Sequence, residues 1–294
     1  VYGSLRVYRA TELQKAVKSQ SLRVDIRLVF AIPASDTRSM ISPFPWPGGK
    51  RALVPHLLKM IPTHRNYVEV FAGSAKLLFA KEPSTLEVLN DLNGDVVNFF
   101  RIAKHRPAEL AEALEHECVH AARFLELSAE ATPDDELDRA LRFAYLTWYS
   151  FGGKGTHFAR PTVRGRARKP LDSVRGLLEA LARRLSAVCI EQKNFAEILA
   201  RFDAEETFFY LDPPYLNFGS NDRYAPFTLE RLQKLFTQLR GLKARWLMSF
   251  EDHSAVRAAV RECGFSMTSV EVPYTLASGN RQKGGREVLI CNYS

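Results

Sequence analysis

The chain has 294 residues, 46% of them hydrophobic and 25% charged, with a formal net charge of +8. This length and apolar content can bury a substantial core, in one large domain or a domain carrying an insertion. No apolar run reaches the roughly 18 residues that span a bilayer, and Cys118, Cys189, Cys263 and Cys291 form no Cys-x-x-Cys pair, so a membrane helix, a disulfide framework and a zinc knuckle are not indicated. With no apolar secretory segment at the amino end, a reducing, cytoplasmic setting is expected.

Residues 1–39 hold half of the net charge and show neither a strong period nor a motif, so they are expected to be an extension, with the compact domain beginning near Met40. Trp46-Pro47-Gly48-Gly49-Lys50 then forms a tight glycine turn backed by a cation. It is not a phosphate-binding P-loop, because Gly-x-x-x-x-Gly-Lys-Ser/Thr is absent. A helical stretch, 51–60, follows.

Tyr67 to Phe71 reads as a strand, Ala72-Gly73-Ser74 as a small-residue turn and 75–81 as a helix opening. A second strand, 85–89, ends in Asn90-Asp91-Leu92-Asn93. A strand, a small turn, a helix and a strand tipped by an acid follow the logic of nucleotide-binding sheets. Glycine lets the backbone approach a ligand, and an acid about 20 residues on can bind ribose hydroxyls.

From Asp95 to Leu127 the period is helical, with Pro107 suited to a first turn. Within it, His116-Glu117-Cys118-Val119-His120 matches the zinc-protease pattern His-Glu-x-x-His. Its face, however, runs Glu109, Glu112, His116, His120, Arg123, opposite an apolar stripe of Leu110, Leu114, Cys118, Ala121 and Leu125. It therefore reads as a solvated helix face, and no metal is expected.

Asp135 to Trp148 returns to helix. After the glycine break at 151–155 come Lys154, Arg160, Arg164, Arg166, Arg168 and Lys169 without an intervening acid. Interleaved with His157 and Phe158, this basic run is expected to track phosphates and reach base edges of nucleic acid. Helix 171–185, strand 188–191 and the pair Asn194-Phe195 follow.

The apolar run Thr207 to Leu211 ends in Asp212-Pro213-Pro214-Tyr215. A β-branched and aromatic run stopped by two prolines reads as a buried strand, because proline brings no N–H to the ladder. In open α/β sheets ligands bind at such carboxyl ends. Asp212 and the Pro213 carbonyl can accept the two N–H bonds of an exocyclic amine while Tyr215 stacks on its ring, a site for methylating an amino group.

Thr228 caps a helix running to Leu242, 244–250 is a strand, 254–263 a helix closed by Gly264, and 266–272 another strand. The basic, glycine-rich stretch 278–286 adds Arg281 and Lys283 as nucleic-acid contacts before a last strand, 287–292. Strands alternating with helices indicate an α/β fold with a parallel, doubly wound sheet that closes on an antiparallel hairpin.

Together these residues resemble the Dam-type, alpha-group N6-adenine DNA methyltransferases, over essentially Met40 to Tyr293. Trp46 to Lys50 resembles the family's amino-terminal S-adenosylmethionine motif, with Gly48 and Gly49 between the contacting Trp46 and Lys50. The stretch Glu69, Val70, Phe71, Ala72, Gly73 and the adjoining Ser74 resembles its first sheet motif, Asn90-Asp91 its ribose-binding motif, and Asn194-Phe195 the element against the cofactor's adenine. Val70 stands where proline is usual, Ala75 where a third glycine is common, and Asn194 where aspartate is more typical.

The resemblance implies a Rossmann-like class I methyltransferase sheet with its last strand antiparallel, built from residues 40–102 and 186–294, and a mostly helical target-recognition insertion, 103–185. It also implies S-adenosylmethionine as cofactor, double-stranded DNA as partner, a flipped adenine as substrate, a monomeric enzyme and a setting such as restriction–modification. RNA or cytosine-N4 methylation and a non-catalytic DNA-binding relative are the competing expectations.

Overall fold

Five parallel strands lie where the apolar runs begin and end, and an antiparallel strand separates them from a sixth of their own direction. They are β1 (Asn66–Glu69), β2 (Leu86–Asn90), β3 (Val188–Glu191), β4 (Thr207–Leu211), β5 (Arg245–Glu251), β6 (Ser266–Pro273) and β7 (Gly284–Cys291), in the order β3-β2-β1-β4-β5-β7-β6. Strands β3, β2, β1, β4 and β5 are parallel, while β7 runs antiparallel to both β5 and β6. This computed structural model describes residues 42–48, 50, 52–160, 174–216, 227–273 and 284–293. The expectations for residues 1–39, Gly49, Arg164, Arg166, Arg168, Lys169, Arg281 and Lys283 lie outside them.

The period of two assigns each strand residue a face. Tyr67, Leu89, Phe208, Tyr210, Leu247 and Leu289 enter one buried cluster, and Val68, Val88, Phe209, Leu211, Trp246, Met248, Val288 and Ile290 the other. All five residues of β4 are buried, as a central strand covered on both faces requires.

The first cluster is covered by α1 (Val54–Met60), α2 (Lys76–Ala80), α3 (Gly94–His105), α4 (Pro107–Glu115), α6 (Glu136–Trp148) and α7 (Val174–Leu185). The second is covered by α8 (Phe195–Phe202), α9 (Leu229–Arg240) and α10 (Ser254–Cys263). Among the described residues five helices, α3 to α7, thus run between the neighbouring strands β2 and β3, and four of them share the core of the sheet. The fifth, α5 (Ala121–Ala129), packs Phe124 and Leu127 on Tyr145, Leu146 and Tyr149.

The helical reading of 95–127 is wrong beyond 115, because a second break follows the one anticipated at Pro107. Pro107 opens α4 as anticipated, and its missing N–H separates α4 from α3. A turn over 116–120 then resets the helical phase. His116 is the C-cap residue of α4, whereas the His120 side chain accepts from the Arg123 N–H as the N-cap of α5. The stripe predicted through Leu125 is therefore wrong beyond Leu114: Leu125 is 65% exposed, and Phe124 and Leu127 are buried instead. Among the described residues no helix is long and apolar enough to cross a membrane.

Candidate active site

Strand β1 lies between β2 and β4, and its connection to β2 through α2 covers one face of the sheet while that from β4 to β5 through α9 covers the other. Connections that diverge in this way open a crevice at the carboxyl ends of the strands. A cleft occupies that place. Its walls hold Trp46, Gly48, Lys50, Glu69, Phe71, Gly73, Ser74, Asp91, Asn194, Phe195, Asp212, Pro213, Pro214 and Tyr215, every described residue expected for the cofactor and the chemistry.

On one side, the turn from β1 to α2 brings backbone into the cleft. Gly73 has φ +48°, and a Cβ there would stand 2.8 Å from Cδ1 of the Trp46 indole, so only glycine lets that ring close over the turn. The Gly73 N–H donates to Asp91 Oδ2 at 2.8 Å and the Asn93 N–H to Oδ1 at 2.9 Å, which fixes the carboxylate at the tip of β2. Asn90 ties three segments together: its amide donates to the Val70 and Lys193 carbonyls at 2.9 and 3.1 Å, and its oxygen accepts from Lys193 N–H at 2.9 Å.

These bonds bring Asn194 and Phe195 to the cleft, where the rings of Phe71 and Phe195 lie 5.9 Å apart. The Asn194 side-chain oxygen accepts from Ala196 N–H at 3.0 Å, so its observed work is to cap α8. Glu69, only 2% exposed, accepts from the Tyr67 hydroxyl at 2.9 Å and from Leu78 N–H at 3.2 Å. Burial nevertheless pushes its carboxyl up to about 8, with the Asp212 charge adding to the rise.

On the other side, beyond β4, Lys50 Nζ stands 2.8 Å from Asp212 Oδ1, donates to the Gly48 carbonyl at 2.9 Å and lies 4.5 Å from the centroid of the Tyr215 ring. Ser249 of β5 also donates to Oδ1, at 3.0 Å, and is itself 2.8 Å from the Tyr210 hydroxyl. Among the described residues both contacts fall on one carboxylate oxygen, which leaves Oδ2 to receive another donor. The Tyr215 ring packs on Phe250 at 5.5 Å, and its hydroxyl donates to Glu287 of β7.

Lys50 was expected on the cofactor, yet its contacts are with Asp212, Gly48 and Tyr215. Ser249, Tyr210 and Glu287 were not anticipated. For Ser249 a signal existed: a serine inside the apolar run Trp246 to Phe250, fully buried, must bond across the sheet. The two histidines of the zinc-protease pattern belong to separate elements, with His116 Nδ1 2.7 Å from the Glu112 carbonyl oxygen. Among the described residues no group of three or more His, Cys, Asp or Glu side chains can hold a metal ion.

Of the basic run, Lys154 reaches the wall of the cleft, whereas Arg160 is exposed and does not line it. Lys154 is positioned by the short 3-10 turn Phe151–Gly153, where Gly153 has φ +73° and a Cβ would collide with the Pro45 carbonyl. The Trp148 indole N–H donates to the Pro43 carbonyl at 2.9 Å. The loop carrying Trp46 and the start of the basic run are thus packed together.

The chain is 25% identical over 272 residues to the Type II methyltransferase M1.LlaDCHI of Lactococcus lactis subsp. cremoris, covering 84% of this chain and 94% of that one. It is 24% identical over 254 residues to the DNA adenine methylase of Escherichia coli strain K12, covering 81% and 90% of the two. Among solved structures, the N-terminal domain of human METTL16 in complex with SAH aligns with a TM-score of 0.36 and 10% identity, over 82% of this chain and 66% of that one. Residues 46–276, well over half of the chain, match the D12 class as a family, and the chain accordingly belongs to the D12 class N6 adenine-specific DNA methyltransferases.

Proposed function

We propose that the chain carries out N6-adenine methylation of DNA with S-adenosylmethionine as donor, on an adenine flipped out of a specific sequence in duplex DNA, and that it acts as a monomer. Likeness to a Type II methyltransferase supports a place in restriction–modification. The observation that carries the chemical reading is the Lys50 ammonium. An N–H donor stands 2.8 Å from Asp212 and 4.5 Å from the centroid of the Tyr215 ring, so an amine over that ring reaches that carboxylate.

In this reading the adenine stacks on Tyr215, a contact worth on the order of 1–3 kcal/mol against the few kcal/mol that flipping costs. Its N6 amine takes the place of the ammonium, whose flexible stem swings aside. Asp212 Oδ2 and the Pro213 carbonyl accept the two N–H bonds, which directs the nitrogen lone pair away from both acceptors. Ser249 holds the carboxylate while this happens.

The donor set of the cleft suits the cofactor: Asp91 for ribose hydroxyls, the Phe71 and Phe195 rings for the purine, the Gly73 turn for close backbone approach, and Glu69 for its cationic end. Bound S-adenosylmethionine supplies an electrophilic methyl on a sulfonium, and transfer releases a neutral sulfide, so the leaving group needs no metal to stabilise it. The residues contribute proximity and aligned electrostatics rather than covalent chemistry. The proton displaced from the amine leaves to water.

The test is transfer of labelled methyl from S-adenosylmethionine to unmethylated duplex DNA, with RNA in parallel and nucleoside analysis of the product. Label is expected in N6-methyladenosine from DNA. Asp212→Ala is expected to lose at least about 10²-fold in turnover while cofactor binding survives. Label in RNA or in N4-methylcytosine would reassign the substrate, and near-normal turnover of the variant would remove Asp212 from its role.

A further inference from the structure

We infer that Glu287 is a positioning residue for base stacking: from the antiparallel strand β7 it holds the phenol of Tyr215, the last residue of Asp212-Pro213-Pro214-Tyr215. The inference rests on the reading that Tyr215 stacks on the target adenine. Glu287 is 2% exposed and accepts the Tyr215 hydroxyl. It lies directly opposite Glu251 in the register of β5 and β7. Two carboxyl groups thus face each other across adjoining strands at the place where the Tyr215 hydroxyl is held.

Placing two acids side by side in a largely buried position is costly, because each loses hydration and each charge opposes the other. Burial and the neighbouring Glu287 charge both raise the Glu251 carboxyl above its ordinary range. A phenol needs no such arrangement merely to be buried, since a serine, a backbone carbonyl or water would satisfy its hydroxyl. What the arrangement adds is a fixed ring plane. The Pro213-Pro214 backbone restrains Tyr215 at its Cβ end, Glu287 at its hydroxyl end, and Phe250 packs against the ring at 5.5 Å. A wall on which a base must lie flat within reach of Asp212 gains from this, because about 1 Å of misplacement can cost on the order of 10²-fold in rate.

The experiment compares the full chain with Tyr215→Phe, Glu287→Leu, Glu287→Gln and the double variant Tyr215→Phe/Glu287→Leu. It measures kcat, KM for unmethylated duplex DNA, S-adenosylmethionine affinity and thermal midpoint, with Asp212→Ala as control. Tyr215→Phe keeps the ring and removes only the tether. It is expected to lower kcat about tenfold with KM and midpoint little changed. Glu287→Leu should lower kcat to a similar extent, the double variant should be no worse than either single one, and Glu287→Gln, which retains an acceptor oxygen, should restore most of the rate. A wild-type kcat in Tyr215→Phe overturns the inference even if the Glu287 variants fail to fold. So does a double variant whose losses multiply. Loss of activity in Asp212→Ala beside a wild-type Tyr215→Phe would sink this inference alone, whereas activity retained in Asp212→Ala would sink the reading beneath it.

Discussion

Burial keeps a proton on Glu69 at neutral pH. The carboxyl is enclosed at the end of β1, and the bonds from Tyr67 and Leu78 oppose the rise without cancelling it, so it titrates at about 8 instead of 4.5. A cationic cofactor group beside it would favour the carboxylate and draw its pKa back down. Binding would then expel a proton over the interval between the lowered pKa and about 8. Affinity for S-adenosylmethionine should therefore rise with pH towards 8 and level off above it, by up to about tenfold per pH unit. Equilibrium binding from pH 6 to 9 reads this directly, and Glu69→Gln should flatten the profile. A flat profile in the unsubstituted chain would place the cofactor's cation away from Glu69. On the opposite wall Lys50 and Ser249 act on a single oxygen of Asp212, leaving the proposed acceptor oriented by the protein before any base arrives.

At the scale of the element, the turn between β1 and α2 does what the small residues at 72–75 allow. Two of them take left-handed backbone, Gly73 at φ +48° and Ala75 at φ +51°, which bends the chain sharply enough to aim its N–H groups at Asp91 and the cleft. Gly73→Ala would combine backbone strain of roughly 1–2 kcal/mol with a clash against the Trp46 indole. Cofactor affinity is expected to fall about tenfold. Gly264 supplies the control: it is also left-handed, at φ +72° after α10, but an added Cβ meets nothing within 4 Å. Gly264→Ala should lower the thermal midpoint by a similar strain and leave cofactor affinity unchanged. Equal losses of affinity in both variants would mean that the turn acts through stability alone.

Across the whole molecule, the helices between β2 and β3 do not stand apart from the sheet. Phe44, Phe99, Phe100 and Phe143 pack edge to face or tilted with centroids 5.0 to 5.7 Å apart, joining the loop before Trp46 to α3 and α6. The helices between β2 and β3 and the cleft are thereby built on one core, and Lys154 stands in the wall of the cleft where the basic run begins. If the six cations from Lys154 to Lys169 each meet a phosphate, DNA affinity should fall about 10³-fold between roughly 50 and 200 mM salt. Lys154→Ala should make the slope of log affinity against log salt shallower by about one. A slope near zero would assign DNA binding to uncharged contacts.

What the sequence determined by itself was local. Asp212-Pro213-Pro214-Tyr215 after an apolar strand, a glycine turn after β1 and an acid ending β2 carry their positions in their own chemistry, because proline ends a ladder, glycine admits left-handed backbone and a parallel sheet gathers strand ends. The period of 3.6 failed beyond 115, since the five-residue turn from His116 to His120 resets helical phase without leaving a gap in composition, and only packing shows that Phe124 rather than Leu125 is buried. Tertiary structure alone decided the partners of the site. Lys50 and Asp212 are 162 positions apart, Ser249 and Asp212 37, and Tyr215 and Glu287 72. The last two pairs meet because the strand order brings β4 against β5 and β5 against β7, an arrangement set by the packing of two covered faces rather than by any local preference of the residues concerned.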